Sequence, residues 1–591
     1  MSRMVRMCVR VMLLLSMTAL AALNGTAKIK WYNPAEAGEA VVQNQAWPSE
    51  VRESMYNRLP TRAQEKVGRN VWSLSRHSAG ECIMFTTDAR VIEVRYVVSG
   101  NKSMMHMPTT GVSGVDLYVR SHDGEELWSG AKYYSLGDTV KCRYGAPGME
   151  LDFDRNGAHT YTLYLPLYNE VTWMEIGVDD GDKFSFEKAF EERPIVVYGT
   201  SIVHGACASR PGMAWTNILH RRMEHPVCNF GFSGSALFES GVIELLGEVD
   251  ARAYIIDALP NAYSISPREA LRDTIVKAVK RLRELRPEAP ILLADHYGYP
   301  HGSTIKYWKE KEAYANGAQK EAYDSLVADG VANLYRIGYD EFGMSQDATV
   351  EGIHPSDYGM KLYADAYEKK LRAILNEPIG ELRTEVPLMQ SRDSYNWIAR
   401  HNQIIADGRK AKHFKRVIIG NSIVHHWGGV DNFPIKSGEK VWKKYLQGTL
   451  NMGCGWDRIE NVLWRVYHGE LDGFTADNIY LMIGTNNINY STEEEIVGGI
   501  ENLVTAIRVR RPEAKLTLIG IFPRANHEAL VKRLNVGIEN VALRQGVEFR
   551  NPGAALLLDS GKIDASLFRG GLHPNEAGYE KVVNGFLENR N

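Results

Sequence analysis

Two serines occupy matching places in this 591-residue chain. Ser201-Ile202-Val203-His204 recurs as Ser422-Ile423-Val424-His425, each just after a short apolar run, Ile195 to Tyr198 and Val417 to Ile419. A histidine comes late in each half, His354-Pro355 and His573-Pro574, 153 and 151 residues after its serine. Between serine and histidine lie a glycine behind an Asn-X pair, Gly231 and Gly453, and an asparagine closing an apolar run, Asn261 and Asn486. A serine hydroxyl is a weak nucleophile and needs a base to take its proton; the late histidine is such a base. The serine N–H, a glycine N–H and an asparagine amide can together hold the oxyanion that forms when a carbonyl is attacked. That set describes acyl transfer from an ester. Taken singly each residue is a weak sign, since a strand-end serine is usually a turn residue or helix cap. The same residues in the same order twice mark one folded unit that was duplicated and diverged. Arg286-Pro287-Glu288-Ala289 and Arg511-Pro512-Glu513-Ala514, each before another apolar run, extend the repeat.

These residues need a scaffold that brings strand ends together. In the first half Ile195 to Tyr198, Ala253 to Leu259 and Ile291 to Ala294 read as buried strands, with Asp273 to Leu285 helical between them. In the second, Val417 to Ile419, Ile479 to Ile483 and Leu516 to Ile521 repeat the rhythm, with Val497 to Val509 helical. Strand–helix alternation predicts a parallel sheet covered by helices on both faces, with ligands at the carboxyl edge of the sheet. Glu377 to Ser391 reads as a connector and Tyr395 to Asp407 as a helix leading into the second unit.

Ahead of the repeat the pattern has period two. Val91 to Val97, Tyr161 to Leu167 and Val171 to Val178 read as strands, and Asp123-Gly124 as a hairpin turn between Val115–Arg120 and Leu127-Trp128. Many short strands with turns predict a β-sandwich. Its aromatics (Tyr133, Tyr134, Tyr161, Tyr164, Tyr168, Trp173) read first as core and cross-strand packing, with a sugar-stacking surface as the alternative. Met1 to Ala27 pairs Arg3, Arg6 and Arg10 with the apolar run Val11 to Leu23 and a small-residue exit, the pattern of a secretory signal peptide. No other apolar run reaches the roughly 18 residues that span a bilayer. The expected boundaries are 1–27 signal peptide, 28–190 jelly-roll-like β-sandwich, 191–378 first α/β unit, 379–410 linker and leading helix, 411–591 second α/β unit.

Hydrophobic content of 44% and charged content of 24% are globular values, and a net charge of −3 offers no field for nucleic acid or anionic membrane. After the leader five cysteines remain, Cys82, Cys142, Cys207, Cys228 and Cys454. They form no disulfide framework and match no metal-site spacing; one bridge, Cys82 to Cys142, is open.

Both halves resemble the SGNH (GDSL-type) hydrolase superfamily, whose four blocks supply Ser, Gly, Asn and His. The first half carries Gly199-Thr200-Ser201, Asn229-Phe230-Gly231-Phe232-Ser233-Gly234, Leu259-Pro260-Asn261 and Glu351-Gly352-Ile353-His354. The second carries Gly420-Asn421-Ser422, Asn451-Met452-Gly453, Gly484-Thr485-Asn486-Asn487 and Gly570-Gly571-Leu572-His573. Through Asn461 to Arg465 and Ile483 to Asn487 the second half is similar to platelet-activating-factor acetylhydrolase catalytic subunits. Gly114-Val115-Asp116-Leu117-Tyr118 is similar to the β-domain preceding many bacterial SGNH esterases. The resemblance implies two flavodoxin-like three-layer α/β/α hydrolase domains behind the sandwich. It implies catalysis by Ser201 with His354 and by Ser422 with His573. Gly231 with Asn261, and Gly453 with Asn486, would complete the oxyanion holes, and no metal or organic cofactor is required.

Two departures stand out. The family places an Asp three residues before the His; here Glu351 stands at the first site, read as the acid that orients His354, and Gly570 at the second. His573 then works in a dyad, is held by a carbonyl or another carboxylate, or does not work. The expected partner is an acylated polysaccharide or oligosaccharide outside the cell or in the periplasm, acetylated xylan first and feruloyl esters second. A glycan-binding protein with degraded catalytic modules is the competing reading. His204 and His425 read as pocket-lining or helix-packing residues, and Trp427, Trp456 and Trp464 as core before sugar platforms.

Overall fold

A computed structural model describes residues 28–587, apart from 122–123, 125, 132–133, 146–156, 391–394 and 432. Residues 1–27, read above as a signal peptide, lie outside the described residues, as do Asp123, Tyr133 and Ser391. Among those described, no helix is long and apolar enough to cross a membrane.

The N-terminal region is two facing antiparallel sheets. One runs in the order Ile29–Tyr32, Val171–Asp179, Ile92–Val98, Val140–Tyr144, Tyr134–Leu136; the other runs Phe184–Phe186, Cys82–Thr87, His159–Tyr164, Asp116–Arg120, Glu126–Ser129. Val42–Gln43 pairs with Cys82–Thr87. Alternation does the sorting: along Ile92–Val98, residues Ile92, Val94, Tyr96 and Val98 are buried and those between are not. They meet Ile83, Phe85, Leu117 and Leu163 from the other sheet in one core. The Cys82–Cys142 bridge that the sequence left open is not made, and the five described cysteines are free and buried. Cys142 belongs to the core between the sheets, whereas Cys82 packs with Tyr118 and Tyr164 on the other face of its own sheet. Of the aromatics read as packing, Tyr161, Tyr164 and Tyr168 are buried, and Tyr134 and Trp173 are half-buried.

Each half of the repeat is a five-stranded parallel sheet in the order 2-1-3-4-5. The first runs Val227–Gly231, Ile195–Gly199, Ala253–Asp257, Ile291–Ala294, Leu334–Ile337; the second runs Leu450–Gly453, His413–Gly420, Thr475–Met482, Lys515–Ile519, Glu548–Arg550. That is the flavodoxin-like order, whose ligand site lies where the connections change direction, beside the first strand. Successive residues of each first strand feed opposite cores. Val196 and Tyr198 pack on one face and Ile195 and Val197 on the other; Val417 and Ile419 oppose Ile418 in the same way. The predicted helices are longer than their apolar patterns, Arg268–Leu285, Glu493–Arg510 and Trp397–Ala411. The predicted strand through Leu259 stops at Asp257, and Leu259–Ala262 is a helical turn that carries Asn261.

A buried charge cluster ties the halves together. His225 lies between Glu192 and Glu377, at 3.1 and 2.8 Å, and Arg252 and Arg510 reach the other oxygen of Glu377 at 3.4 and 3.2 Å. His468 Nε2 of the second half lies 3.0 Å from the Met223 C=O of the first, which can only accept. Removing one partner from such a network costs about 3–5 kcal/mol, because the other charge is left buried and alone.

Candidate active sites

The serine of each half sits where its first strand ends. Thr200 caps the short helix Ser201–His204 by accepting the Ile202 N–H at 3.3 Å, and Asn421 caps Ser422–His425 by accepting the Ile423 N–H at 2.9 Å. The cap forces a sharp strand-to-helix turn, which holds each serine at the carboxyl edge of its sheet. The late histidines arrive there from loops. His354 Nε2 lies 2.8 Å from Ser201 Oγ, and His573 Nε2 lies 2.9 Å from Ser422 Oγ.

Behind the histidines the sites differ. Glu351 hydrogen-bonds His354 Nδ1 and also accepts the His354 N–H at 3.0 Å. An ionised carboxylate can only accept, so Nδ1 carries the proton and Nε2 presents its lone pair to the serine hydroxyl. Burial lowers the His354 pKa, and Glu351 pulls against it. Gly570, at φ +61°, has no side chain to offer His573. Burial again lowers the histidine pKa, with the Arg569 and Arg524 charges adding to the effect. The His573 ring instead packs near His426, centroids 4.7 Å apart.

The glycine expectation needs correction. Gly231 N–H donates to Asn229 Oδ1 at 2.9 Å, and Gly453 N–H donates to Asn451 Oδ1 at 2.8 Å. Neither amide is free for an oxyanion. These glycines are required for packing: a Cβ would come 2.1 Å from His204 N in one case and 2.3 Å from His425 N in the other. Each lets its strand end press against the serine helix. The Asn two residues earlier clamps the same helix, Asn229 Nδ2 on Val203 C=O at 2.6 Å and Asn451 Nδ2 on Val424 C=O at 2.9 Å. Three residues beyond each glycine the chain turns through left-handed φ, at Gly234 (+69°) and Trp456 (+65°). Trp456 and Gly455 line the cavity that also holds Ser422, His573 and Asn486. Asn261 Oδ1 accepts the Ala236 N–H at 3.2 Å, which leaves its Nδ2 for a ligand. Asn486 Nδ2 donates one proton to Asp457 C=O at 2.9 Å.

Two arginines unmarked in the sequence brace these strand ends from outside the modules. Arg58, from the N-terminal region, donates through Nη1 to Asn229 C=O and Gly231 C=O, both at 2.9 Å. Arg400, from the connecting helix, hydrogen-bonds Asn451 C=O and donates through Nε to Gly453 C=O at 3.3 Å. Both are buried, and burial lowers the Arg58 pKa to about 10. No periodicity flags an arginine whose partners are backbone carbonyls far along the chain.

His204 and His425 support the sites as neutral rings. His204 is fully buried, stacked on Tyr168 at 4.1 Å. His425 stacks on Phe433 at 3.7 Å and accepts the Gly455 N–H at 3.1 Å; burial lowers its pKa to about 2. At the second site a cavity of about 520 Å³ opens beside Ser422, walled by Tyr395, Phe433, Ile435, Trp456 and Leu572. Trp427 and Trp464 are buried in cores, whereas Trp456 is half exposed at this cavity. At the first site a loop of the N-terminal region, pinched where Met104 bridges Met107, brings the His106 ring to 5.5 Å from that of His354.

Comparison with known proteins agrees with this fold. A family model described as the GDSL-like lipase/acylhydrolase family matches residues 192–372, and a second of that description matches 418–581. A model described as the N-terminus of SGNH-hydrolase-type esterases matches residues 29–184. The human platelet-activating factor acetylhydrolase IB subunit alpha2 is 28% identical over 193 residues, which cover 32% of this chain and 80% of that protein. A crystal structure from Bacteroides ovatus, assigned as a GDSL-like lipase, is 30% identical with a TM-score of 0.53, covering 59% of this chain and 98% of that one.

Proposed function

Since the chain belongs to the GDSL-like lipase/acylhydrolase (SGNH) family, we propose that it is an exported, two-headed serine esterase that removes acyl groups, acetyl first, from plant polysaccharides such as xylan. The observation that carries the reading is the first triad, with Ser201 Oγ 2.8 Å from His354 Nε2 and Glu351 on His354 Nδ1. Ser201 attacks the ester carbonyl as Nε2 takes its proton. Glu351 holds the tautomer and stabilises the imidazolium that forms. The oxyanion falls to the Ser201 N–H, Asn261 Nδ2 and the turn at Gly234, in place of Gly231. His354 returns the proton to the departing sugar hydroxyl. Water then repeats the cycle on the acyl-serine and releases the acid.

At the second head Ser422 and His573 form a dyad, with Asn486 and the Gly455–Trp456 turn at the oxyanion position. The basic, apolar and small-residue succession of Met1 to Ala27 supports export, and the β-sandwich in front of the catalytic modules supports a polymeric glycan substrate. The apolar cavity at Ser422 favours a bulky acyl group there, a feruloyl ester included. Acetate release from acetylated xylan oligosaccharides by the wild type, Ser201→Ala and Ser422→Ala tests the reading. Release that depends on Ser201 supports it. No release from xylan or from a small aryl acetate overturns it in favour of glycan binding alone.

A further inference from the structure

Three side chains from distant parts of the chain meet at the mouth of the first site. His106 belongs to the N-terminal region, Cys207 follows the serine helix, and His354 is the histidine of the triad. One ligating atom from each lies within 4.8 Å of the others. Each has an electron pair to give. His354 keeps its Nε2 lone pair because Nδ1 faces Glu351. Cys207 Sγ donates to His106 C=O at 3.2 Å, so its lone pairs stay unused. The His106 ring packs on His354. Cys207 sits at φ +70°, where a non-glycine residue is uncommon, and this places its thiol beside the two rings.

A second cluster, Glu192, His225 and His468, looks similar by type but differs in chemistry. Both ring nitrogens of His225 are taken by carboxylates, and both of His468 by backbone carbonyls at 2.6 and 3.0 Å. Arg252, 3.8 Å from Glu192, already supplies the cation that balances this cluster.

We propose that His106, Cys207 and His354 form an inhibitory site for a thiophilic divalent cation of the Zn²⁺ type. Two imidazoles and one thiolate are a zinc donor set, and a fourth position remains for water. Ligands around tetrahedral zinc lie roughly 3.3–3.8 Å apart, so the cluster closes on the ion by small side-chain rotations. Binding replaces the Cys207 S–H proton, which leaves to solvent, by an S–metal bond. It also turns the His354 Nε2 lone pair from the Ser201 hydroxyl to the ion, so the serine loses its base. Counted from the serine, the residue corresponding to Cys207 in the second half is Gly428. The second head therefore has the paired imidazoles His426 and His573 without a thiolate. The inhibition, though not the binding, rests on Ser201 being the nucleophile.

Co²⁺ titration of the full mature chain tests the binding. One equivalent is expected to give the near-ultraviolet thiolate-to-metal band. The band is lost in Cys207→Ala and in the near-isosteric Cys207→Ser. His106→Ala weakens binding at least about tenfold. Buffered Zn²⁺ is then expected to inhibit Ser422→Ala, in which only the first head turns over, and to spare Ser201→Ala, with EDTA restoring the former. A missing band, a band that survives both Cys207 variants, or equal inhibition of the two heads overturns the proposal. If neither head cleaves esters, the proposed function fails while the Co²⁺ band still decides the cation site.

Discussion

The two heads share a strand, a capped turn, a serine, a histidine and a bracing arginine, and differ in what stands behind the histidine. At the first, Glu351 fixes the imidazole; at the second, Gly570 leaves it to packing and to two guanidinium charges. The serine–histidine distances are nevertheless 2.8 and 2.9 Å. The carboxylate is thus not needed to place the ring, and its contribution must lie in the tautomer and in the charge that develops during turnover. The mouths differ as well. At the first, His106 of the N-terminal region lies beside His354, and the second opens into an apolar cavity walled partly by the connecting helix.

The largest effects should come from deleting either nucleophile. Ser201→Ala and Ser422→Ala are each expected to lower the turnover of their own head by about 10⁶ and to leave the other untouched. Substrate profiling of the two variants measures this, and identical profiles would dissolve the distinction between heads. Next, Glu351→Gly makes the first site a chemical copy of the second. A fall of about 10⁴ in kcat marks the acid as essential there, by the scale of serine proteases. Unchanged kcat would show that dyad chemistry suffices at both.

Arg58→Met and Arg400→Met leave buried carbonyls unsatisfied, at about 1–3 kcal/mol each, and should loosen one head apiece. Thermal unfolding together with head-specific rates reads this out, and an equal loss at both heads would break the assignment. The smallest effect is on pH dependence. Each histidine acts as a base when neutral. Glu351 favours the charged form of His354, so Glu351→Gln should move the acid limb of kcat/KM to lower pH. Arg569 disfavours the charged form of His573, so Arg569→Gln should move that limb to higher pH. Shifts in the same direction would refute the electrostatic contrast.

The sheet strands, the serines and the late histidines were legible because duplication prints each of them twice. Glu351 was legible as a departure at a fixed offset from His354, and it does bond that ring. The oxyanion amides were misread at Gly231 and Gly453. A glycine in a sequence announces a missing Cβ, and whether that vacancy serves a free amide or a tight contact depends on the neighbouring backbone. An Asn two residues earlier, able to reach the same N–H, was the signal available. Arg58, Arg400 and His106 stayed hidden because their partners lie far along the chain, at carbonyls or in a loop that no period or spacing encodes. The apolar runs overstated the strand through Leu259, since hydrophobicity continues into the helical turn that carries Asn261.

Arg58 and Arg400 each precede in the chain the strand end they brace. During synthesis the bolt therefore leaves the ribosome before the part it fastens, and each head can set its catalytic edge as soon as its second strand emerges. A gene fragment cut at the start of either α/β unit would discard the bolt and keep the sheet. The heritable cassette is accordingly longer than the hydrolase fold: it is the fold together with the arm that arrives ahead of it.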